Sequence, residues 1–320
     1  MKAVVIRQFG GPEVLQIAQV ADPVVNHSEV LVQVKATSVN PLDYQIRRGD
    51  YPQEVPLPAI IGHDVAGDVV AVGPAVKDFK VGDAVYYSPR IFGGQGSYAE
   101  FHAVDESIIA LKPANLSYLQ AASLPLAAGT AWEMLVTRAQ LRIGESILIH
   151  GGAGGVGSIT IQLAKAMGAT VFTTAKGIHT QRLQDLGADY VIDYQHEDYL
   201  LKVNELTQGR GVDVIVDSIG GTTLSESPMV LAQLGRVVTL VDIATPQNLI
   251  HAWGKNATYH FVFTRQNRGK LDRITRLVEQ GLVKPVIDSS FLLVEIVEAH
   301  QRLESNGRVK DLFGKVVIEL

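Results

Sequence analysis

The stretch ILIHGGAGGVGSITIQLA, residues 147–164, constrains this chain more than any other. An apolar run of strand composition passes through a glycine cluster directly into residues with helical spacing. Gly152, Gly154 and Gly157 form G-x-G-x-x-G, with Gly155 and Val156 inside it. Glycines so spaced permit a tight turn and let backbone approach a pyrophosphate, and the helix that follows offers free N–H groups and a favourable dipole. Such a motif carries weight when a β-α series surrounds it. From about residue 123 that series is present. ATVFTT, DYVID, VDVIVDSI and RVVTLV read as strands, and HTQRLQDLG, EDYLLKVNELTQ and TTLSESPMVLAQLG as the helices between them. The alternation predicts an α/β domain with a doubly wound parallel sheet of Rossmann type. The competing reading is a glycine-rich turn that only packs helix on strand.

The residues after the second strand bear on which dinucleotide binds. An NAD site places an acid about 20 residues beyond the glycines, where it bonds the ribose hydroxyls. This chain has Thr173, Thr174 and Lys176 there, and its next aspartate is Asp185, inside the following helix. Hydroxyls and an ammonium suit a 2′-phosphate that a carboxylate would repel, so the cofactor expected is NADP(H). Lys176 as a solvated surface lysine is the alternative.

Residues 1–122 have a different texture. Short runs such as VLVQVKATSV, AGDVVAVG and DAVYYS are punctuated by turn residues, as in VGPAVKDFKVGD. They predict a mostly antiparallel β domain. YPQEVPLPAI, with three prolines, reads as an extended loop. After about 262 come two amphipathic helical patterns and a final strand, GKVVIEL. A chain of 320 residues is long enough for two domains. Its formal net charge of −5 gives no overall attraction to nucleic acid or anionic membrane. It contains no cysteine, which excludes disulfides, thiolate nucleophiles and cysteine-ligated metals. MKAVVIRQFG reads as a strand rather than a secretory signal, and no run reads as a membrane span. A cytoplasmic location is expected.

AIIGHDVAG, residues 59–67, raises the question of a metal, since His63 and Asp64 are both possible zinc ligands. Together with SVNPLDYQIRRGDYP (38–52), GHDVAGDVVAVG (62–73), GSYAEF (96–101), LPLAAGTAWEML (124–135), GGAGGVG (151–157) and VKPVID (283–288), it resembles the medium-chain dehydrogenase/reductase superfamily. Within that superfamily the similarity is to the zinc-free, zeta-crystallin-like quinone oxidoreductase branch. The resemblance implies a GroES-like catalytic domain built from 1–122 and 263–320, a Rossmann domain at 123–262, a cleft between them and a homodimer. A catalytic zinc in the superfamily needs a cysteine where this chain has Asn40, and a further donor near 126–128, where it has Leu-Ala-Ala. No metal is therefore expected, and His63 becomes a packing or hydrogen-bonding residue of the cleft wall.

By matching position, the resemblance implies that Lys176 and Tyr194 flank the 2′-phosphate and adenine. It sets Thr130, Asp217, Ser218 and the loop around Val241 along the cofactor, and Lys315 near its phosphates. Asn40 and Tyr51 are implied to line the nicotinamide pocket as hydrogen-bond donors, against the alternatives of a turn residue before proline and a loop packing residue. Tyr44, Ile91, Phe92, Trp132 and Phe261 are candidate apolar walls for a planar substrate, with core packing as the competing reading for each. Tyr98 reads as structural.

Without a metal, the chemistry expected is hydride addition to a conjugated acceptor. Adding hydride to a quinone or an α,β-unsaturated carbonyl spreads negative charge onto oxygen, where neutral donors can stabilise it. The function expected is thus NADPH-dependent reduction of small planar conjugated carbonyls. A 2-enoyl-thioester reductase is the enzymatic alternative. An NADPH-binding sensor or structural protein is the non-enzymatic one.

Overall fold

The computed structural model describes residues 1–241, 246–304 and 311–320. The chain divides into two compact units. One comprises Met1–Gly129, Arg265–Gly281 and Pro285–Leu320, and the other Thr130–Thr264 and Leu282–Lys284.

The second unit holds a six-stranded sheet in which every pairing is parallel. Its strands are Ser146–His150, Thr170–Ala175, Tyr190–Asp193, Val212–Asp217, Leu231–Thr239 and Thr258–Phe261. Across the sheet they stand third, second, first, fourth, fifth and sixth in chain order, the Rossmann arrangement. Ser146–His150 is buried along its whole length, as a strand covered on both faces must be. The order reverses between this strand and Val212–Asp217, so their C-terminal ends, His150-Gly151 and Asp217-Ser218, frame the switch point where α/β sheets bind ligands.

One element departs from the sequence reading. TTLSESPMVLAQLG was expected to be a helix. Helix Thr223–Glu226 instead gives way to a 3₁₀ turn, Ser227–Val230, and the next strand has already begun at Leu231. Pro228 lacks the N–H that an α-helical ladder requires, so the helix cannot run through it.

The first unit is built on a mixed sheet of GroES-like type. Strand Glu29–Val39 is its axis, pairing antiparallel with Val65–Val72, Phe101–Asp105 and the C-terminal Lys315–Glu319. Val30, Val32, Val34 and Ala36 are buried at alternate positions, the period-2 pattern that fixes register. Helix Pro41–Arg48 follows immediately and ends at Gly49, whose φ of +92° is the left-handed stop that glycine adopts without strain. Asn267 caps helix Arg268–Glu279 by accepting from the Lys270 N–H at 3.0 Å, and Leu271, Ile274 and Val278 form its buried stripe. The return of 315–319 to the axial strand brings Lys315 beside residues that precede it by some 250–276 positions.

Candidate active site

In the second unit the glycine turn separates two kinds of glycine. A Cβ on Gly157 would collide with the Gly151 carbonyl oxygen, and one on Gly152 with the Thr173 hydroxyl. Packing of helix on strand therefore already requires both to be glycine. Gly154 differs. Its φ is −77°, and a Cβ there would meet only the Gly151 oxygen, at 3.5 Å. Internal packing does not demand glycine at the N-cap of helix Gly155–Ala166, and a Cβ would intrude on the space from which a phosphate reaches the helix N-terminus. The cradle thus fits a dinucleotide pyrophosphate.

The threonines of strand Thr170–Ala175 are turned inward. Thr173 donates to the Ile149 carbonyl at 2.8 Å. The Thr174 hydroxyl lies 3.2 Å from His150 Nδ1 and 3.4 Å from the Gly151 nitrogen. Both are buried, so among the residues expected at the 2′-phosphate it is Lys176, half-buried just beyond the strand, that sits at the edge. Tyr194 is exposed past the end of the neighbouring strand. At the switch point Asp217 accepts from the Ile219 and Gly220 N–H groups at 2.9 and 3.0 Å, which shapes the turn, and Ser218 donates to the His150 carbonyl at 3.1 Å. The Val241 N–H donates to the Thr239 hydroxyl at 3.2 Å. The rest of its loop, 242–245, lies outside the described residues. Thr130 and Trp132 occupy helix Pro125–Trp132, and Phe261 ends the edge strand, 58% exposed.

The first unit contains two linked polar clusters. The first centres on Asn40, 4% exposed at the N-cap of helix Pro41–Arg48. Its amide donates to Asp64 Oδ2 at 2.8 Å, and its Oδ1 accepts a short bond from the Lys315 ammonium. Lys315 also donates to the Val39 carbonyl at 3.2 Å and approaches Asp64 Oδ2 at 3.3 Å. Asp64 accepts further from Ser38 Oγ at 2.5 Å and from the Leu126 N–H at 2.7 Å. This corrects the expectation for Lys315. Its three donor hydrogens each have an acceptor within this buried cluster, so it has none to offer a cofactor phosphate.

The second cluster runs from the C-terminal helix to the loop at 90–96, and its polarity follows from which partners can only donate or only accept. Arg47 can only donate, so His300 Nδ1, 3.2 Å away, accepts. His300 Nε2 then donates to the Tyr98 hydroxyl at 3.1 Å, and Tyr98 donates to Asp43 Oδ2 at 3.0 Å. His63 lies between two acceptors, Asp43 Oδ1 at 2.5 Å from Nδ1 and the Ile91 carbonyl at 3.1 Å from Nε2. Both its nitrogens donate, which is the imidazolium form. Burial disfavours charge on His63 and Asp43, but the bond between them outweighs it: His63 is held above its usual range and Asp43 below. Burial pushes His300 down to about 4, in keeping with a neutral ring that accepts from Arg47.

These bonds also answer the metal question on donor chemistry. Both nitrogens of His63 and both oxygens of Asp64 are engaged by protein groups, and among the described residues no three His, Asp or Glu side chains are grouped as metal ligands. With no cysteine in the sequence, the residues do not fit a zinc site.

Beside the second cluster lies a cavity of about 400 Å³, lined by Ile46, Val55, Ile60, His63, Ile91 and Phe92 among others. The Tyr51 ring packs 5.3 Å from that of Phe92. Its hydroxyl has no hydrogen-bond partner among the described residues, whereas those of Tyr86, Tyr87 and Tyr98 are all engaged. Of the expected wall residues, His63, Ile91 and Phe92 line this cavity. Tyr44 does not, and its ring lies under the Arg48 guanidinium at 5.5 Å. Sequence reasoning gave no role to Arg47, His300 or Ser38. No local motif marks them, because their partners lie far away along the chain.

The chain resembles known proteins over both units. Residues 26–114 match the alcohol dehydrogenase GroES-like domain family, and 186–318 a family described as zinc-binding dehydrogenase. The NADPH-dependent alkenal/one oxidoreductase of Arabidopsis thaliana chloroplasts is 39% identical over 99% of this chain and 79% of its own length. The quinone oxidoreductase of Rattus norvegicus is 33% identical over 100% of this chain and 98% of its own. The Escherichia coli quinone oxidoreductase, solved with NADPH, superposes with a TM-score of 0.90 at 30% identity, covering 100% of both chains.

Proposed function

The chain belongs to the medium-chain dehydrogenase/reductase superfamily, in its zinc-free quinone-oxidoreductase branch, and from that premise we propose that it is an NADPH-dependent reductase of quinones and other α,β-unsaturated carbonyls. The observation that carries this reading is the donor set of the first unit. Where zinc dehydrogenases hold a Lewis acid, His63 and Asp64 are engaged by protein, and two neutral groups keep a donor to spare: the second N–H of the Asn40 amide and the Tyr51 phenol. Neutral donors suit charge spread over a conjugated system better than a localised alkoxide.

When bound, NADPH supplies the hydride. The helix N-terminus at Gly154–Gly157 holds the pyrophosphate and Lys176 the 2′-phosphate, with Tyr194 at the adenine and Thr130, Ser218 and Val241 along the cofactor. Asn40 and Tyr51 donate to the substrate carbonyl oxygen and stabilise the enolate or quinol oxyanion that forms there. The walls at Ile91 and Phe92 exclude water from the conjugated system, and solvent provides the final proton. The active form is a homodimer in the cytoplasm. The formal charge of −5 and the absence, among the described residues, of a helix able to cross a membrane support a small-molecule substrate rather than nucleic acid or lipid.

The test follows NADPH absorbance with a panel of quinones, 2-alkenals, 2-enoyl thioesters and saturated aldehydes. Turnover of quinones or alkenals with none of saturated aldehydes is expected. Turnover confined to the thioesters would move the assignment to an enoyl-thioester reductase. Tight NADPH binding with no turnover of any substrate would identify a sensor.

A further inference from the structure

The geometry around Asn40 assigns roles to two residues distant from it in sequence. We propose that Lys315 and Asp64 are positioning residues that lock the Asn40 carboxamide in one orientation. The proposal rests on the reading of Asn40 as a donor to the substrate. An asparagine amide has two faces that differ only in which end accepts, and in an uncharged site it can turn over. Here a cation stands against Oδ1 and an anion against Nδ2. Turning the amide by 180° would set NH₂ against the ammonium, donor to donor, and oxygen against the carboxylate, acceptor to acceptor. Both clashes involve buried charges, Lys315 being 6% exposed and Asp64 fully buried. The flipped state is thereby excluded, and the second Nδ2–H becomes the one donor of the side chain left for a substrate oxygen.

The charges are themselves held. Ser38 and the Leu126 N–H fix the carboxylate, and the Val39 carbonyl takes a further N–H of the ammonium. Lys315 follows Gly314, whose φ is +96° and whose Cβ would collide with the Val286 carbonyl oxygen, so the backbone that delivers the ammonium is itself constrained.

The experiment compares Lys315→Met, Lys315→Gln and Asn40→Ala, singly and with Lys315→Met added to Asn40→Ala. Lys315→Met should lower kcat by about 10- to 100-fold, at or below the roughly 100- to 1,000-fold cost of losing one oxyanion donor outright. The Kd for NADPH, read by fluorescence, should not change. Lys315→Gln keeps an N–H for Oδ1 and should lose less, and it also serves if the methionine variant does not fold. In the Asn40→Ala background Lys315→Met should cost nothing further. An equal loss in both backgrounds, or a weakened NADPH Kd at unchanged kcat, would overturn the proposal. A readout independent of activity separates it from the reading it rests on. Hydrogen exchange of the Asn40 side-chain amide, followed by NMR, should quicken about tenfold or more in Lys315→Met if the lysine locks the amide. Unchanged exchange rejects positioning. Quickened exchange together with a fully active Asn40→Ala would instead reject Asn40 as the donor while leaving the lock standing.

Discussion

At the scale of single residues, the glycine turn separates packing from ligand binding. Gly157→Ala drives a methyl into the Gly151 carbonyl, a backbone atom that cannot swing away, and should destabilise the second unit by about 1–3 kcal/mol. Gly154→Ala meets only ordinary contact and keeps an allowed φ, so urea unfolding should be close to the parent's while affinity for NADPH falls. If Gly154→Ala binds NADPH as tightly as the parent, the pyrophosphate does not lie over this turn. Lys176→Ala removes one charge-assisted contact worth about 1.5–3 kcal/mol, so KM for NADPH should rise by about 10- to 150-fold with little change for NADH. Equal loss for the two cofactors would disprove the 2′-phosphate role. The glycines were readable in the sequence because their spacing is local. The threonines were readable as a pattern but not as partners: only the fold shows that Thr174 faces His150. Lys315 was misjudged for the same reason, because its acceptors at Val39, Asn40 and Asp64 come from strands paired across the whole length of the first unit.

At the scale of elements, the β-α alternation was legible because a parallel sheet buried on both faces imposes uninterrupted apolar strands. Failures came where one residue overrides the pattern, as Pro228 does. A further strand, Thr258–Phe261, is an edge strand with mixed burial and carries little periodic signal. The polar chain linking helix Ile296–Glu304 to the cavity loop was illegible, yet it makes a pH prediction. His300 in this chain and His102, whose Nδ1 accepts from Tyr87 while Nε2 donates to the Gln95 carbonyl, are both neutral when folded, with burial holding each at about 4. The unfolded chain protonates them near 6.5, so it binds more protons than the folded state between about 6.5 and 4. Stability of the first unit should therefore fall as pH drops through that window, by about 3 kcal/mol for each histidine. The His63–Asp43 pair does not offset this. The raised His63 stabilises fully below 6.5 and loses its contribution only as pH rises through its folded value, and the lowered Asp43 loses its contribution only below about 3.8. In urea unfolding at a series of pH values, His300→Gln keeps both bonds without a titrating ring and should flatten the slope. A slope equal to the parent's would show that His300 is already charged when folded.

At the scale of the molecule, the second unit has one sheet edge that water alone does not suit. Strand Tyr190–Asp193 closes one side, and the polar stretch His196–Asp198 follows it. The other side is closed by Thr258–Phe261, and the chain around it exposes Ile250 at 56%, Trp253 at 79% and Phe261 at 58%. An open strand edge with large apolar side chains nearby invites pairing, and soluble proteins blunt or cover such edges. No proline stands in Thr258–Phe261 to blunt it. A second copy related by a two-fold axis would present the same strand in the opposite direction, so that pairing there would extend the sheet and bury both patches with one self-complementary contact. Sedimentation equilibrium should then give twice the chain mass of 34.6 kDa. Trp253→Glu sets a charge in the patch on both copies at once, and should shift the equilibrium toward the single chain. Because the glycine cradle follows Ser146–His150, a strand separated from this edge by Val212–Asp217 and Leu231–Thr239, NADPH affinity should persist in that monomer. A variant still wholly dimeric at micromolar concentration would place the contact elsewhere on the surface.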